Sequence, residues 1–344
     1  MSARATDTTS ETKKKVSLDV RAAVDDDLPA ILTLMKASLG EGNIPRDEAF
    51  FRWKHIENPF GRSPILLAFS SGTLVGLRAF MRWTWTSEGR AVRAVRAVDT
   101  ATHPEFQGQG IFKKLTLSLV DEVRADGVSF VFNTPNEKSR PGYLKMGWSD
   151  VMRVPLYARV GRPITRRVLA RDEAADERAD RASLARVLED PALDDLLSAS
   201  STSDERFHTD RTRAFLAWRY RDVPGFTYGA RASLAARGAC VIFRRRDRGN
   251  ARECTIEDVI CARDPRSIAT AGALLWTLAL SSGVDYLASS AAPSSREAAA
   301  LVAGGFVPVG ARGPHFTALP LADVTPSPLL ASSWRASVGD LELF

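Results

Sequence analysis

Cysteine and histidine are scarce in this chain, three of one and four of the other among 344 residues. Cys240, Cys254 and Cys261 show no metal-ligand spacing and lie in apolar or strand-like surroundings. That argues against a metal centre and for reduced thiols in a cytoplasmic protein. His208 and His315 have no partner spacing either. Long apolar runs are also missing: nothing approaches the roughly 20 residues of a membrane span. The Ala-rich stretch from Ile268 to Leu280 is too short for one and suits a buried helix. Residues 1–15 are polar throughout and read as a disordered tail, not a signal peptide.

What remains is ordinary for a soluble globular protein, with 44% hydrophobic and 26% charged residues, and the length allows two domains with sizeable cores. The net charge of +6 comes from a surface richer in arginine than in lysine. A solvated arginine-rich face accounts for it better than a nucleic-acid interface does, so neither nucleic acid nor membrane is expected as a partner. A basic rim would also suit an anionic cofactor.

Alternation and turn residues predict a strand at Val16–Val24, then Asp25-Asp26-Asp27 capping a helix that runs to Leu39. A second short helix follows at Phe50–Glu57 and is broken by Asn58-Pro59-Phe60-Gly61. Ile65–Phe69 and Leu74–Trp85 read as a hairpin joined at Ser71-Gly72, and Ala91–His103 as the next strand. The helix Ile111–Ala125 carries Leu115, Leu117, Leu119, Val120 and Val123 as its apolar stripe. A short buried strand at Val128–Phe132, a helical turn at Arg140–Met146 and a last strand at Trp148–Tyr157 complete the unit. Arg159–Asp190, charged and alternating in sign, reads as a connector with one or two helices and a mobile centre at Arg171–Arg181.

The second half echoes the first. Phe50, Trp53 and Pro59 match Phe215, Trp218 and Pro224 with identical spacing, and Gly127 and Gly147-Trp148 match Gly283 and Gly305-Phe306 at a nearly constant offset. Trp53, Phe60, Trp83 and Trp85 could line an aromatic groove for a sugar, a peptide or an aromatic amine, while for Trp53 and its echo Trp218 core packing is the simpler reading.

The most informative stretch runs from Thr102 to Leu115. It reads as a strand end, a turn with Gly108 and Gly110, and the first turn of a helix. Such glycines let successive backbone N–H groups face one point, where the helix also presents its positive end, so the turn suits a phosphate or pyrophosphate. The echo has Ala262-Arg263-Asp264-Pro265-Arg266-Ser267 at this place, with no glycine.

Gln107-Gly108-Gln109-Gly110-Ile111-Phe112, followed downstream by Asn136, Tyr143 and Gly147-Trp148 in register, resembles the two signatures of the GNAT N-acetyltransferase superfamily. Phe112 replaces the usual small residue, while Ser139, Gly142 and Trp148 stand for Ala, Phe and Phe. The resemblance covers roughly residues 16–157 and implies direct acyl transfer from acetyl-CoA, as co-substrate, to an amine. It implies that Gln107–Phe112 (Gln107, Gly108, Gln109, Gly110, Ile111, Phe112) hold the pyrophosphate. By the same resemblance, Thr100, Ala101 and Thr102 offer backbone groups to pantetheine and thioester, and Asn136 bonds the pantetheine or caps the short helix. Tyr143 matches the tyrosine that protonates the departing sulfur, the other reading being a packing tyrosine. Asp99 is either the base or a buried polar group of the strand, with Glu57 and His55 as weaker candidates for the base.

The sequence thus predicts an α/β (α+β) chain of two GNAT-like domains, each a mixed, mostly antiparallel sheet flanked by helices. The expected division is a tail at 1–15, a catalytic domain at 16–157, a connector at 158–195 and a degenerate copy at 196–344. The plan is similar to that of mycothiol synthase, and the tail Trp334–Phe344 reads as a strand or as a segment entering a cleft. In the tandem enhanced-intracellular-survival acetyltransferases it resembles, the terminal carboxylate reaches the active site, which gives Phe344 the same expectation. The expected reaction is acetyl transfer to a primary amine of a small molecule or amino sugar in a ternary complex, without a metal. A non-catalytic CoA-binding module and a longer acyl or aminoacyl donor are the alternatives, and the oligomeric state stays open, a homo-oligomer included.

Overall fold

The computed structural model describes residues 17–40, 45–161, 173–201, 204–281, 283–310 and 312–341. The expected tail at 1–15, the start of the mobile stretch at Arg171 and the terminal Phe344 lie outside the described residues. The first half runs β1 (Asp19–Ala22), α1 (Leu28–Leu39), α2 (Glu48–His55), β2 (Ile65–Ser70), β3 (Thr73–Ser87), β4 (Arg90–Thr102), α3 (Ile111–Ala125), β5 (Phe130–Asn133), α4 (Arg140–Lys145) and β6 (Ser149–Arg153). This is the expected order. The β2–β3 hairpin turns at Ser71 and Gly72, both at positive φ, as a two-residue turn requires. In α3 the buried stripe is Ile111, Leu115, Leu119, Val120 and Val123. Leu117 stands two residues from both Leu115 and Leu119, which turns it off that face.

The second half runs β7 (Leu156–Val160), α5 (Glu173–Glu189), α6 (Ala192–Ser200), α7 (Arg213–Leu216), β8 (Gly229–Ser233), β9 (Ala239–Arg248), β10 (Ala251–Cys261), α8 (Pro265–Ser281), β11 (Tyr286–Ser290), α9 (Arg296–Ala303), β12 (Val307–Pro308), β13 (His315–Pro320) and α10 (Val338–Leu341). The expected mobile centre of the connector is helical from Glu173 onward. The strand expected at Trp148–Tyr157 is two strands, because Val154 leaves the ladder and Pro155 has no N–H to donate.

Those two strands join different sheets. The order of the first sheet is β1-β2-β3-β4-β5-β13-β6, and of the second β12-β7-β11-β10-β9-β8. The second half lends one strand to the first: β13 is held between β5 and β6, while β7 pairs with β11 in the second sheet. The expected boundary at 157/158 therefore falls inside a strand of the second sheet. Within each sheet one central pair is parallel, β4 with β5 and β10 with β11, and the rest are antiparallel.

Aromatic side chains fill the space between the halves. Trp53 and Trp218 stack at 5.0 Å, and each indole Nε1 donates to the other's backbone carbonyl, at 2.7 and 2.9 Å. Trp83 and Trp85 are buried beside them and Phe60 packs on Trp83, so these aromatics form core and no acceptor groove.

Candidate functional site

β4 and β5 pair only as far as Arg96 and Phe132, after which β4 continues along β3 alone. The parting exposes one edge of β4. A bulge falls in the same place: Ala97 faces Phe80 and Thr100 faces Arg78, leaving Val98 and Asp99 opposite Ala79. A bulge re-aims the side chain it carries. Here Asp99 turns into a cavity of about 590 Å³, whose wall also includes Lys54, Arg96, Asn136, Leu341 and the apolar Phe50 and Phe51.

α2 brings two bases to Asp99. Its first turn is capped by Asp47, whose carboxylate accepts the Phe50 N–H at 2.8 Å, and its last turn ends in Lys54-His55, where cations suit the negative helix end. Lys54 Nζ lies 2.8 Å from Asp99 Oδ2, and His55 Nε2 lies 2.7 Å from the same oxygen. Burial alone would raise the Asp99 carboxyl, but the charge of Lys54 and the His55 hydrogen bond outweigh it and hold it far below the usual carboxylate range. Burial has the last word at His55, lowering its pKa against the pull of Asp99. The imidazole is therefore neutral. Since an ionised carboxylate can only accept, Nε2 carries the hydrogen and Nδ1 accepts from Ser63 Oγ at 3.0 Å.

Of the two sequence candidates for the base beside Asp99, His55 is fully buried behind it and Glu57 is exposed outside the cavity. Lys54 escaped notice, although it stands next to His55 at the basic end of a helix with an acidic start. Arg78 and Arg96 escaped too, for nothing in strand alternation marks a buried arginine.

The glycine turn has the expected backbone. Gly108 and Gly110 lie at φ +78° and +79°, and Gly110 is the N-cap of α3. A Cβ at either position would meet nothing within 4 Å, so glycine is needed there for its left-handed backbone and not for room. The first N–H groups of α3 have no partner inside the helix, and the buried Gln109 Oε1 has none among the described residues. A free acceptor beside free donors fits a ligand that carries both phosphate and hydroxyl or amide groups. Ile111 turns inward against Gly76.

Not every expected backbone donor on β4 is free. Thr102 N donates to Ser38 Oγ at 3.2 Å and His103 N to Val75 O at 2.9 Å. Ala101 is buried against α1, and the Thr100 hydroxyl reaches Leu77 O at 3.4 Å. Asn136 does not cap α4, whose N-cap is Ser139; its Oδ1 accepts from Ser139 N at 2.9 Å and Lys138 N at 3.1 Å, which turns the chain before the helix, and the residue lines the cavity.

Tyr143 is buried on α4 outside the cavity wall, its ring edge-on to Phe112 at 5.7 Å and packed on Trp148 at 5.3 Å. Its hydroxyl accepts from Arg78 Nη2 at 2.8 Å. The departures from the motif explain one another here. A Cβ at Gly142 would come within 3.5 Å of Phe112 Cε1, so the large residue in the turn takes up the volume that the small residue on α4 leaves.

The counterpart of this parting in the second sheet is occupied. β10 and β11 pair only to Thr255 and Ala288, and β10 carries its own bulge at Glu257. Arg296 donates to Cys261 O at 2.9 Å there, and the C-terminal segment crosses β11's end through a bridge between Ala291 and Ser337. That segment, expected as a strand or as a plug, then forms α10, whose last residue Leu341 accepts from Arg96 and lines the first half's cavity. No helix of the described residues is long and apolar enough to cross a membrane.

Residues 19–151 match the family model of an acetyltransferase (GNAT) domain. No curated protein matches the chain significantly. Solved structures of similar fold include a GCN5-related N-acetyltransferase from Anabaena variabilis, 12% identical with a TM-score of 0.63 over 93% of this chain and 82% of that one. A GCN5-related N-acetyltransferase from Kribbella flavida is 15% identical, TM-score 0.55, over 89% and 72% of the two chains. Eis1 from Mycobacterium abscessus is 14% identical, TM-score 0.55, over 89% and 74%. The likeness in fold extends over both halves.

Proposed function

We propose, from the match of residues 19–151 to an acetyltransferase (GNAT) domain, that the chain is an N-acyltransferase moving an acetyl group from acetyl-CoA to a primary amine of a small molecule or amino sugar. The observation that carries the reading is the parting of β4 from β5, which sets the glycine turn before α3 at one end of β4's free edge and Asp99 with its cavity at the other. Gln107–Phe112 would hold the pyrophosphate, and acetyl-CoA bound there would supply the thioester. Asp99, kept ionised by Lys54, takes the proton that the attacking amine must lose, and Tyr143 gives one to the departing sulfur. Direct transfer suits the cysteines: burial pushes the Cys240 and Cys261 thiols up to about 12, so neither is an activated nucleophile. We read the C-terminal half as a copy whose turn has lost its glycines and whose parting is filled by Arg296 and the C-terminal segment.

Thiol release from acetyl-CoA with a panel of amines tests this. Tyr143→Phe should lower kcat by roughly 10²-fold with CoA affinity nearly unchanged, and an unaltered kcat would end the acid assignment. One observation favours a non-catalytic CoA-binding module instead: Lys54 and His55 both engage Asp99. Tight CoA binding without thiol release for any amine would decide for it.

A further inference from the structure

Arg78 is a charged residue with no exposed surface, placed on β3 beneath the β4 bulge. Among the described residues its polar partners are the Val98 carbonyl, 2.7 Å from Nη1, and the Tyr143 hydroxyl, 2.8 Å from Nη2; Nε has none. Neither partner is a carboxylate. The rings of Phe80, Phe112 and Tyr143 stand 4.9, 5.6 and 5.5 Å from the guanidinium carbon and offset part of the charge with their faces. A buried cation that no anion answers is costly to keep, and an unbranched apolar side chain would fill the same volume without the cost. Such a group makes sense where negative charge arises transiently.

Its two bonds show where. Val98 belongs to the bulge that carries Asp99, and Tyr143 belongs to α4, so one rigid fork ties the strand at the cavity to the phenol. Arg78 donates to the phenolic oxygen, which leaves the phenol's own hydrogen for a different acceptor. We propose that Arg78 is a positioning residue for thiol departure, aiming the Tyr143 hydroxyl and supplying the positive charge that steadies the oxygen once its proton has gone. In the step, the amine nitrogen bonds to the acyl carbon, the carbon–sulfur bond breaks with its electron pair going to sulfur, and the Tyr143 proton passes to that sulfur. The amine's surplus proton leaves through Asp99, and the phenolate beside Arg78 is reprotonated from solvent. The proposal rests on the reading of Tyr143 as the acid.

The test compares binding of CoA, whose thiol can ionise, with binding of acetyl-CoA, whose thioester cannot, between pH 6.5 and 8.5. Both ligands meet the same protein groups, so titration of Asp99, Lys54, His55 or Tyr143 without ligand cancels in the ratio of affinities. In the wild-type chain the ratio should shift toward CoA by roughly threefold or more as the thiolate becomes accessible. Arg78→Met should flatten it, and Arg78→Lys, which keeps the charge but cannot hold both oxygens, should keep part of the rise. Arg78→Met should also lower kcat about 10²-fold with the KM for acetyl-CoA within about threefold. A flat ratio in the wild type overturns the proposal, as does a rise undiminished in Arg78→Met. Should Arg78→Met fail to fold, an undiminished rise in Arg78→Lys overturns it. A rise that survives Tyr143→Phe but not Arg78→Met overturns the acid assignment underneath instead.

Discussion

Gly76 decides how closely α3 lies on the sheet, and adding one methyl group there tests the link between packing and the glycine turn. A Cβ at Gly76 would sit 2.5 Å from Ile111 Cγ2, 3.1 Å from Leu115 Cδ1 and 3.3 Å from Ala68 Cβ. Carbon atoms pack at about 3.5–4.0 Å, so α3 must move outward by about 1 Å at its first turn. Overpacking of that kind costs about 1–3 kcal/mol, which corresponds to about 1–2 °C in Tm for each kcal/mol in a chain of 344 residues that unfolds as one unit. Ile111 directly follows Gly110, so the displacement reaches the turn. Gly76→Ala should therefore raise the KM for acetyl-CoA more than it lowers kcat. Ile111→Ala removes the obstructing methyl and alone leaves a cavity worth about 2–5 kcal/mol. Urea unfolding of the two single variants and the double variant should show a favourable coupling of about 1 kcal/mol or more. Additive losses, or a Gly76→Ala protein as stable as the wild type, would refute the packing argument.

His55 is kept neutral by burial, so the folded chain resists a proton that the unfolded chain accepts below about pH 6.5. Its contribution is complete above that pH and is lost as the pH falls, by at most about 1.4 kcal/mol per unit; urea midpoints from pH 7.5 to 5 should fall less steeply in His55→Gln, and equal slopes would refute the assignment. The depressed Asp99 carboxyl acts in the same direction, but its loss begins only as the pH falls below about 4. Asp99→Asn should cut kcat roughly 10²-fold or more in the thiol-release assay, and activity within a few fold of wild type would remove Asp99 from the chemistry. A fragment of residues 1–160 should fail to unfold cooperatively on its own, since β5 would lose its partner β13 and Trp53 its partner Trp218; a sharp calorimetric transition would show that the halves are independent.

Local chemistry made much of this fold readable. Glycines at 108 and 110, a capped run of apolar residues at helical spacing, and the Ser71-Gly72 turn each depend on residues near one another in sequence, and each stands where it was expected. Partners far apart were not readable. Lys54 meets Asp99 across 45 positions and Arg78 meets Tyr143 across 65, through a bulge whose register no alternation pattern reveals. The stretch Trp148–Tyr157 reads as one strand because its apolar pattern hardly breaks; which sheet each part joins depends on the edge that β5 or β11 leaves open. The aromatic residues leave two readings open for a related reason. A tryptophan on a strand face reads the same whether it lines a groove or meets another half of the chain.

The strand that crosses between the sheets also bears on what the second half does for the first. A half with no glycine turn and a filled parting could be merely appended, yet it supplies the strand β13 between β5 and β6. It also supplies the indole that bonds back to Trp53, and the segment whose Leu341 closes the cavity beside Arg96. In that segment Asp340 and the β10 residue Asp258 share Arg211, at 2.6 Å each, and Ser337 bonds to both carboxylates. Asp258 follows the β10 bulge as Asp99 lies in the β4 bulge. A bulge that aims a carboxylate into an open cavity in one half thus anchors, in the other, the strap that walls that same cavity. Both halves thus contribute to the wall of one cavity.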